Sequence, residues 1–274
     1  MKYLLLLTLF AFGLNATGQK DLNQLTKPIV EEGKMLYQSE MASWHGTDLF
    51  LENYKNHENI GGYFSYSEDE EIRCVFFSRA ESPKVIGVIQ FDSTFQIEKA
   101  IIDLKERTFS EKEDDLYQIR KNALIEVNRD TSFKQYQNTN FNFIPLVNNK
   151  EKKVYILTGA SVSGVVIFGN DYLLTFDDNN QLLSKKSLHK NIIPIFYEEE
   201  KKAEEVVHSH LPETGEFITP TDICTLMLYS KYANWKQHIV VSEKYMNIWD
   251  CVEHQLTVIP METIRNIKEE QDKN

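Results

Sequence analysis

The chain has 274 residues and a formal net charge of −11 at pH 7. A chain of this length can bury a core without disulfide bonds, either as one large domain or as two small ones. Its acidic balance repels phosphate backbones, so we expect no nucleic-acid partner.

The first 18 residues have the composition of a cleavable signal peptide. Lys2 supplies a positive charge, an apolar run extends from Tyr3 to Leu14, and the small residues Ala16 and Gly18 precede a polar chain. The apolar run is shorter than the ~20 residues that a membrane-spanning helix needs. We therefore expect a secreted or periplasmic protein whose mature chain begins at Gln19 and has no membrane anchor.

Three cysteines are too few for a disulfide framework, and their odd number leaves at least one thiol unpaired. A bridge between Cys224 and Cys251 would suit an oxidising compartment. Three buried thiols would instead behave as small apolar side chains. Both alternatives fit the sequence.

After the signal segment, the sequence predicts a helix and then an antiparallel meander. Apolar residues from Leu22 to about Trp44 recur at helical spacing. Four runs rich in aromatic and branched residues follow, separated by turns of hairpin length. The predicted strands are Gly62–Ser67, Ile72–Ser78, Lys84–Phe91 and Gln96–Leu104. Ser110 and Glu113 then form a capping box for a second helix.

Polar stretches around Asn138 and Asn149 predict a boundary near residue 147. The expected division is a signal peptide at 1–18, an N-terminal helix plus meander at 19–147, and a C-terminal α+β part at 148–274. In the last part the predicted strands are Val154–Leu157, Val162–Phe168, Tyr172–Phe176, Leu182–Leu188, Val206–His210, His238–Val241, Asn247–Cys251 and Leu256–Ile259, with helices from Pro220 to about Lys231 and from Met261. The predicted fold class is α+β, with antiparallel strands predominating.

One segment carries residues that suit metal chemistry. His208 and His210 lie two apart on a predicted strand, so their imidazoles point to the same face. Asp222 lies just inside the next helix, and the intervening turn would bring its carboxylate back beside them. Two nitrogens and one oxygen would leave a fourth position open on a zinc ion.

The same residues also have interpretations without a metal. The two histidines could be hydrogen-bonding strand residues, and Thr219 with Asp222 forms a capping box that needs no ion. His189 and His238 are distant in sequence and are typical of ordinary strand or loop histidines, although a role as fourth ligand stays open.

The segment resembles the JAMM/MPN metallo-isopeptidases, α+β proteins in which His-x-His, a loop and Ser/Thr-x-x-Asp at a helix start hold zinc. The resemblance covers at best the last 120 or so residues, and only His208 to Asp222 is specific. It implies His208, His210 and Asp222 as zinc ligands and places Thr219 where the motif's serine assists the oxyanion. The sequence departs from the motif in two ways: the loop is one residue longer than usual, and Leu211 precedes the proline that normally follows the second histidine.

A larger departure concerns the general base. The family uses a glutamate on an earlier strand, but this chain has no glutamate between Lys153 and Tyr197. Glu204, Glu213 and Glu216 lie closer to the histidines and are candidate substitutes, since a carboxylate near a metal-bound water can accept its proton. Each is more typical of a solvated surface residue than of a catalytic base.

Two functional hypotheses follow. The first is a secreted zinc hydrolase that acts on amide bonds of a peptide or protein substrate. The second is a secreted binding or structural module that keeps a degenerate site and catalyses nothing. The sequence indicates neither a specific substrate nor an oligomeric state.

The export hypothesis has a direct test. We expect protein recovered from the native host to start at Gln19, because Ala16 and Gly18 suit the signal peptidase. N-terminal sequencing decides this, and recovery of the intact apolar run in a membrane fraction would contradict it.

Overall fold

A computed structural model describes residues 16–68, 71–148, 151–198 and 205–272. Most of the predicted signal peptide, residues 1–15, lies outside the described residues, and so does the candidate base Glu204. Within the described part, no helix is both long and apolar enough to span a bilayer.

The described residues form four α-helices, which are α1 (Ala16–Asn53), α2 (Glu111–Arg129), α3 (Pro220–Tyr229) and α4 (Met261–Asp272). Helix α1 is longer than the sequence predicted because its apolar face continues to Phe50, which is fully buried and stacks on Phe76. The capping box of Ser110 and Glu113 at the start of α2 is confirmed.

The N-terminal sheet is the predicted antiparallel meander. Its strands are β1 (Ile60–Glu68), β2 (Glu71–Ser78), β3 (Val85–Phe91) and β4 (Ile101–Asp103), in the order β1-β2-β3-β4. Side chains alternate between its two faces. Phe76 packs in the cluster that contains α1 residues, whereas Val75 packs against Leu116 of α2. The meander is therefore covered by a helix on each face.

A second antiparallel sheet has the order β5-β6-β8-β9, and two further strands, β7 and β10, pair only with each other. The bounds are β5 (Thr139–Asn148), β6 (Glu151–Ala160), β7 (Val165–Gly169), β8 (Tyr172–Phe176), β9 (Leu182–Ser187) and β10 (Ile192–Phe196). The sequence analysis assigned no strand to β5 or β10. Both contain a proline, Pro145 and Pro194, which disfavours a central strand but is tolerated at a sheet edge.

The predicted boundary at residue 147 falls at the end of β5. Strands β5 and β6 pair along their whole length, from Thr139 with Ala160 to Asn148 with Glu151. Helix α1, from the first predicted unit, also packs against residues of the second: Leu36 shares a core cluster with Tyr155 and Leu228. The division into two units stays a prediction.

The C-terminal sheet positions the histidine pair. Its strands are β11 (Glu205–Ser209), β12 (Gln237–Val241), β13 (Tyr245–Asp250) and β14 (Gln255–Pro260), in the order β11-β12-β13-β14. Strands β11 and β12 are parallel and the other pairs are antiparallel, so α3 is the crossover helix between β11 and β12. The helices and mainly antiparallel sheets confirm the α+β fold class.

All three cysteines, Cys74, Cys224 and Cys251, are buried free thiols. The alternative of a bridge between Cys224 and Cys251 is therefore not what the structure contains. Cys224 lies on α3 in the cluster that also includes Leu36 of α1.

Helices α1 and α3 approach each other closely at Gly33. A Cβ atom at Gly33 would lie 2.7 Å from Cβ of Ile223 and 3.0 Å from the carbonyl oxygen of Pro220. These are atoms at the start of α3 that cannot rotate away, since one belongs to the backbone and the other is bonded to it. The absence of a side chain at Gly33 allows α1 to hold the beginning of α3 in place.

We expect Gly33→Ala to destabilise the protein. Alanine favours a helix by up to about 1 kcal/mol over glycine, but overpacking a buried contact costs about 1–3 kcal/mol. Thermal unfolding in excess chelator measures the net effect, with Glu52→Ala on the exposed side of α1 as a control expected to stay within about 0.5 kcal/mol. A more stable Gly33→Ala variant would show that the two helices do not pack this closely.

Candidate metal centre

Four buried side chains converge in the C-terminal part of the molecule: His189, His208, His210 and Asp222. One potential ligand atom from each lies within 4.8 Å of all the others. No more than 7% of any of the four residues is exposed. Such a group of three imidazoles and one carboxylate could hold a metal ion.

Strand β11 and its continuation place the two predicted histidines. His208 pairs with Val240 of β12, and the backbone N–H of His210 donates to the carbonyl oxygen of Val241 at 2.8 Å. With this spacing of two residues, both rings turn to the same side. Their Nε2 atoms are 3.2 Å apart, as the sequence predicted for a shared site.

The start of α3 places the carboxylate. Thr219 is the N-cap residue, and its side chain accepts a hydrogen bond from the backbone N–H of Asp222. In return, Oδ2 of Asp222 accepts from the backbone N–H and the hydroxyl of Thr219, at 2.9 and 2.7 Å. The predicted capping box is thus confirmed. It leaves Oδ1 of Asp222 buried and without a hydrogen bond in the described part of the chain.

The loop between β11 and α3 is held by Asn247 of β13, which is fully buried. Its side-chain oxygen accepts from the backbone N–H of Ile218 at 3.3 Å, and its amide donates to the carbonyl oxygen of Glu216 at 3.1 Å. Because Ile218 directly precedes the N-cap, this contact anchors the helix start to the sheet that carries the histidines.

His189 is brought to the cluster by the turn between β9 and β10. The pairing of β10 with β7 brings this turn against Gly169, whose φ is +81°. A Cβ atom there would lie 2.2 Å from the carbonyl oxygen of Asn191 and 3.3 Å from Cβ of His189. Only glycine fits both this backbone conformation and this approach.

The distances between ligand atoms suit a tetrahedral ion. A tetrahedron with its vertices about 2.0–2.1 Å from the centre has edges of about 3.3–3.4 Å. Nε2 of His210 lies 3.3 Å from Nε2 of His189 and 3.2 Å from Nε2 of His208. Oδ1 of Asp222 lies 3.4 Å from Nε2 of His189 and 3.7 Å from Nε2 of His208. Four separations among the three Nε2 atoms and Oδ1 of Asp222 are therefore close to the edge of such a tetrahedron.

The cluster has the electrostatics of a cation site. Burial alone would raise the pKa of Asp222, but His189 and His208 hold it well below its usual range. Burial alone would lower the pKa of His189, but the carboxylates of Asp222 and Asp171 raise it to about 10. Burial lowers the pKa of His208 to about 4. Without a metal ion, a proton on His189 compensates the buried carboxylate, and His208 is neutral and able to bind an ion.

Two further residues lie directly behind the ligands. Oδ2 of Asp171 is 3.5 Å from Nδ1 of His189, and its Oδ1 accepts from the backbone N–H of Thr158. Nε2 of His238 is 2.7 Å from Nδ1 of His208. Such second-layer contacts commonly orient metal-binding imidazoles.

The candidate catalytic residues have other surroundings. Glu213 is exposed. Glu216 accepts a hydrogen bond from the backbone N–H of Lys244 at 3.0 Å, and no described hydrogen bond or ion pair joins its side chain to the four ligands. Thr219 contacts Asp222 as its capping partner. Whether any of these residues takes part in catalysis stays a prediction.

The sequence analysis did not identify His189 as part of the cluster. It treated His189 and His238 as ordinary strand or loop histidines and left a fourth ligand open, whereas the structure places His189 among the ligand atoms and His238 behind His208. No local spacing relates His189 to His210, which is 21 residues away. The available signal was compositional only: His189 is one of just seven histidines in the chain.

No protein-family model matches the chain, and no curated protein or solved structure matches it either. The site must therefore be interpreted from its own geometry and chemistry.

We expect metal affinity to rise with pH through the neutral range. A metal ion must displace the proton from His189, whose raised pKa keeps that proton bound near neutrality. Release of one proton makes affinity increase by about tenfold per pH unit below that pKa. Competition titrations against a zinc-binding dye between pH 6.5 and 8.5 measure the slope, after correction for the pH dependence of the dye.

His189→Gln serves as the comparison in that titration, and its slope should be flatter. In excess chelator the measured quantity is the stability of the metal-free protein, and its dependence on pH has the opposite sign. Because the folded-state pKa of His189 is raised, its contribution to stability is complete below the unfolded value of about 6.5 and is lost as pH rises toward 10. Equal slopes for wild type and variant would contradict the pairing of His189 with Asp222.

Proposed function

We propose that this protein is an exported, non-catalytic module whose C-terminal part is cross-linked by a structural zinc ion. The ligands are His189, His208, His210 and Asp222. The observation that carries the proposal is the presence of His189 as a fourth buried protein ligand.

The number of ligands favours a structural role. Structural zinc sites are usually closed by four protein side chains, whereas catalytic sites keep one position for water or substrate. His208, His210 and Asp222 alone would leave that position open. Nε2 of His189, at 3.3 Å from His210 and 3.4 Å from Asp222, fills it.

The burial of the four candidate ligands also favours a structural role. The four residues are 5%, 6%, 7% and 1% exposed, for His189, His208, His210 and Asp222 in that order. A scissile amide needs direct access to a catalytic ion, whereas a structural ion needs only its buried ligands. Burial also protects the ion from exchange with solvent.

The ligands come from three separate segments: the turn before β10, the end of β11 and the first turn of α3. An ion that binds them all links the two-stranded β7–β10 sheet to the C-terminal sheet and to the crossover helix. Since the site does not exist in the unfolded chain, binding energy contributes directly to folding. This cross-link would take the place of a disulfide in a chain whose cysteines are buried thiols.

The donor set favours zinc over the other common cations. Magnesium and calcium prefer oxygen ligands in shells of six or more. Three imidazoles and one carboxylate at tetrahedral spacing suit zinc, which has no preference for square-planar geometry.

A metallohydrolase acting on amide bonds is the second candidate. It is favoured by the meeting of His208, His210 and Asp222 at a helix start capped by Thr219, which is the arrangement that the isopeptidase resemblance implies. It requires both an open coordination position and a carboxylate base, and neither Glu213 nor Glu216 has a described contact with the cluster. We therefore rank it below the structural role.

We expect the purified protein to bind one zinc ion per chain and to gain stability from it. At a free zinc concentration 100 times the dissociation constant, the gain is about 2.7 kcal/mol, or roughly 5–10 °C in melting temperature for a chain of this size. His208→Ala and Asp222→Asn should lose most of this gain and change much less in excess chelator. Elemental analysis and thermal scans with zinc or chelator measure both effects.

His57→Ala, at an exposed histidine outside the cluster, is the matched control and should behave like wild type. A peptidase screen of the zinc-loaded protein distinguishes the two candidate functions. Chelator-sensitive hydrolysis by wild type would replace the structural proposal with the hydrolase. If the wild-type protein binds no metal, both candidate functions are wrong.

A further inference from the structure

The two ring nitrogens of His208 face different partners. Nε2 points to the cluster, at 3.2 Å from Nε2 of His210 and 3.7 Å from Oδ1 of Asp222. Nδ1 points away from it and lies 2.7 Å from Nε2 of His238. The contact with His238 is shorter than the 3.5 Å contact between His189 and Asp171.

A contact of 2.7 Å between two imidazole nitrogens needs one donor and one acceptor. If His238 donates, Nδ1 of His208 accepts, and the proton of neutral His208 must sit on Nε2, where it blocks metal binding. If His208 donates from Nδ1, its Nε2 carries a free lone pair that faces the cluster. Only the second arrangement is compatible with an ion bound to Nε2.

Burial and contacts with aromatic rings hold the ring of His238 in position. The residue is fully buried on β12, two positions before the partner of His208 in the β11–β12 register. Its ring stacks on Phe168 with centroids 4.9 Å apart, and the centroid of Trp235 is 6.0 Å away. Its Nδ1 has no hydrogen bond in the described residues. His208 is therefore the hydrogen-bonding partner toward which this ring is oriented.

We propose that His238 is a positioning residue of the metal centre, which accepts the Nδ1 proton of His208 and so presents Nε2 of His208 to the ion. This inference rests on the proposed zinc site and extends it to a second layer. In the metal-bound state the proton of His208 is on Nδ1, and that of His238 is on its own Nδ1. Metal binding thus selects one of the two proton arrangements that the histidine pair allows.

The other two imidazole ligands lack an equivalent contact. Nδ1 of His210 has no hydrogen bond in the described part of the chain, and Nδ1 of His189 has only the longer approach to Asp171. Among the second-layer residues, His238 is therefore the one whose removal should affect ligand orientation most.

The test compares His238→Phe with His238→Gln. Phenylalanine keeps a flat ring against Phe168 but removes the acceptor, whereas glutamine can place an amide oxygen near the former Nε2. We expect His238→Phe to bind zinc about 10–100 times more weakly than wild type, as is typical for loss of a second-layer partner. His238→Gln should recover most of the affinity. Competition titration with a chelator dye measures all three proteins, with His45→Phe on α1 as a control that should match wild type.

A second measurement does not depend on a variant that folds. Long-range nitrogen–proton correlation spectra of zinc-loaded wild type, labelled with ¹⁵N-histidine, report which nitrogen of each ring carries the proton. We expect His208 to be protonated at Nδ1 with Nε2 bound to the metal. Protonation at Nε2, or coordination through Nδ1, would overturn the inference even if His238→Phe failed to fold.

The outcomes separate this inference from the zinc proposal. If wild type binds zinc and His238→Phe binds it equally well, the zinc centre stands and the role of His238 is wrong. If both His238 variants lose affinity equally, the ring acts by packing and not as an acceptor, and the inference is again overturned. If wild type binds no zinc, the proposed function fails and the inference fails with it.

Discussion

The C-terminal part of this protein is organised around a group of buried, electron-rich atoms that face one another. Three imidazole nitrogens and a carboxylate oxygen lie within 4.8 Å of each other in the buried interior. Lone pairs in such an arrangement repel unless a proton or a metal ion lies between them, because the low dielectric of the interior strengthens every electrostatic term. A proton on His189 compensates the charge, but Oδ1 of Asp222 has no hydrogen bond within the described residues. A metal ion would satisfy all four atoms together.

The surrounding fold keeps these atoms together. Gly33 lets α1 pack against the first turn of α3, Asn247 fixes the loop that leads to it, and Gly169 admits the turn that carries His189. None of these three residues is itself a candidate ligand. The ligand geometry therefore depends on contacts between α1, α3, the β7–β10 pair and the C-terminal sheet.

The position of the Asp222 carboxylate is compatible with both interpretations that the sequence left as alternatives. A Thr-x-x-Asp capping box needs no metal, and a metal ligand needs a carboxylate that is free to bind. The two carboxylate oxygens differ: Oδ2 accepts the cap hydrogen bonds, and Oδ1 accepts none from the described residues and stays free to bind an ion. The cap thus orients the carboxylate for the cluster, so the helix start and the candidate metal site reinforce each other.

The sequence by itself determined what local patterns encode. The α+β class, the N-terminal meander, the capped starts of α2 and α3, and the shared face of His208 and His210 all follow from periodicities and capping rules that act over a few residues. Strands β5 and β10 were missed because asparagine and proline weaken the local signal, and pairing with β6 and β7 overrides it. The fourth member of the cluster depended wholly on tertiary structure. His189 lies 21 residues from His210 with no spacing rule between them, and it reaches the site only because β10 pairs with β7 and brings its turn against Gly169. Local residue spacing could therefore predict the grouping of His208, His210 and Asp222, whereas long-range strand pairing brought a fourth side chain to the cluster.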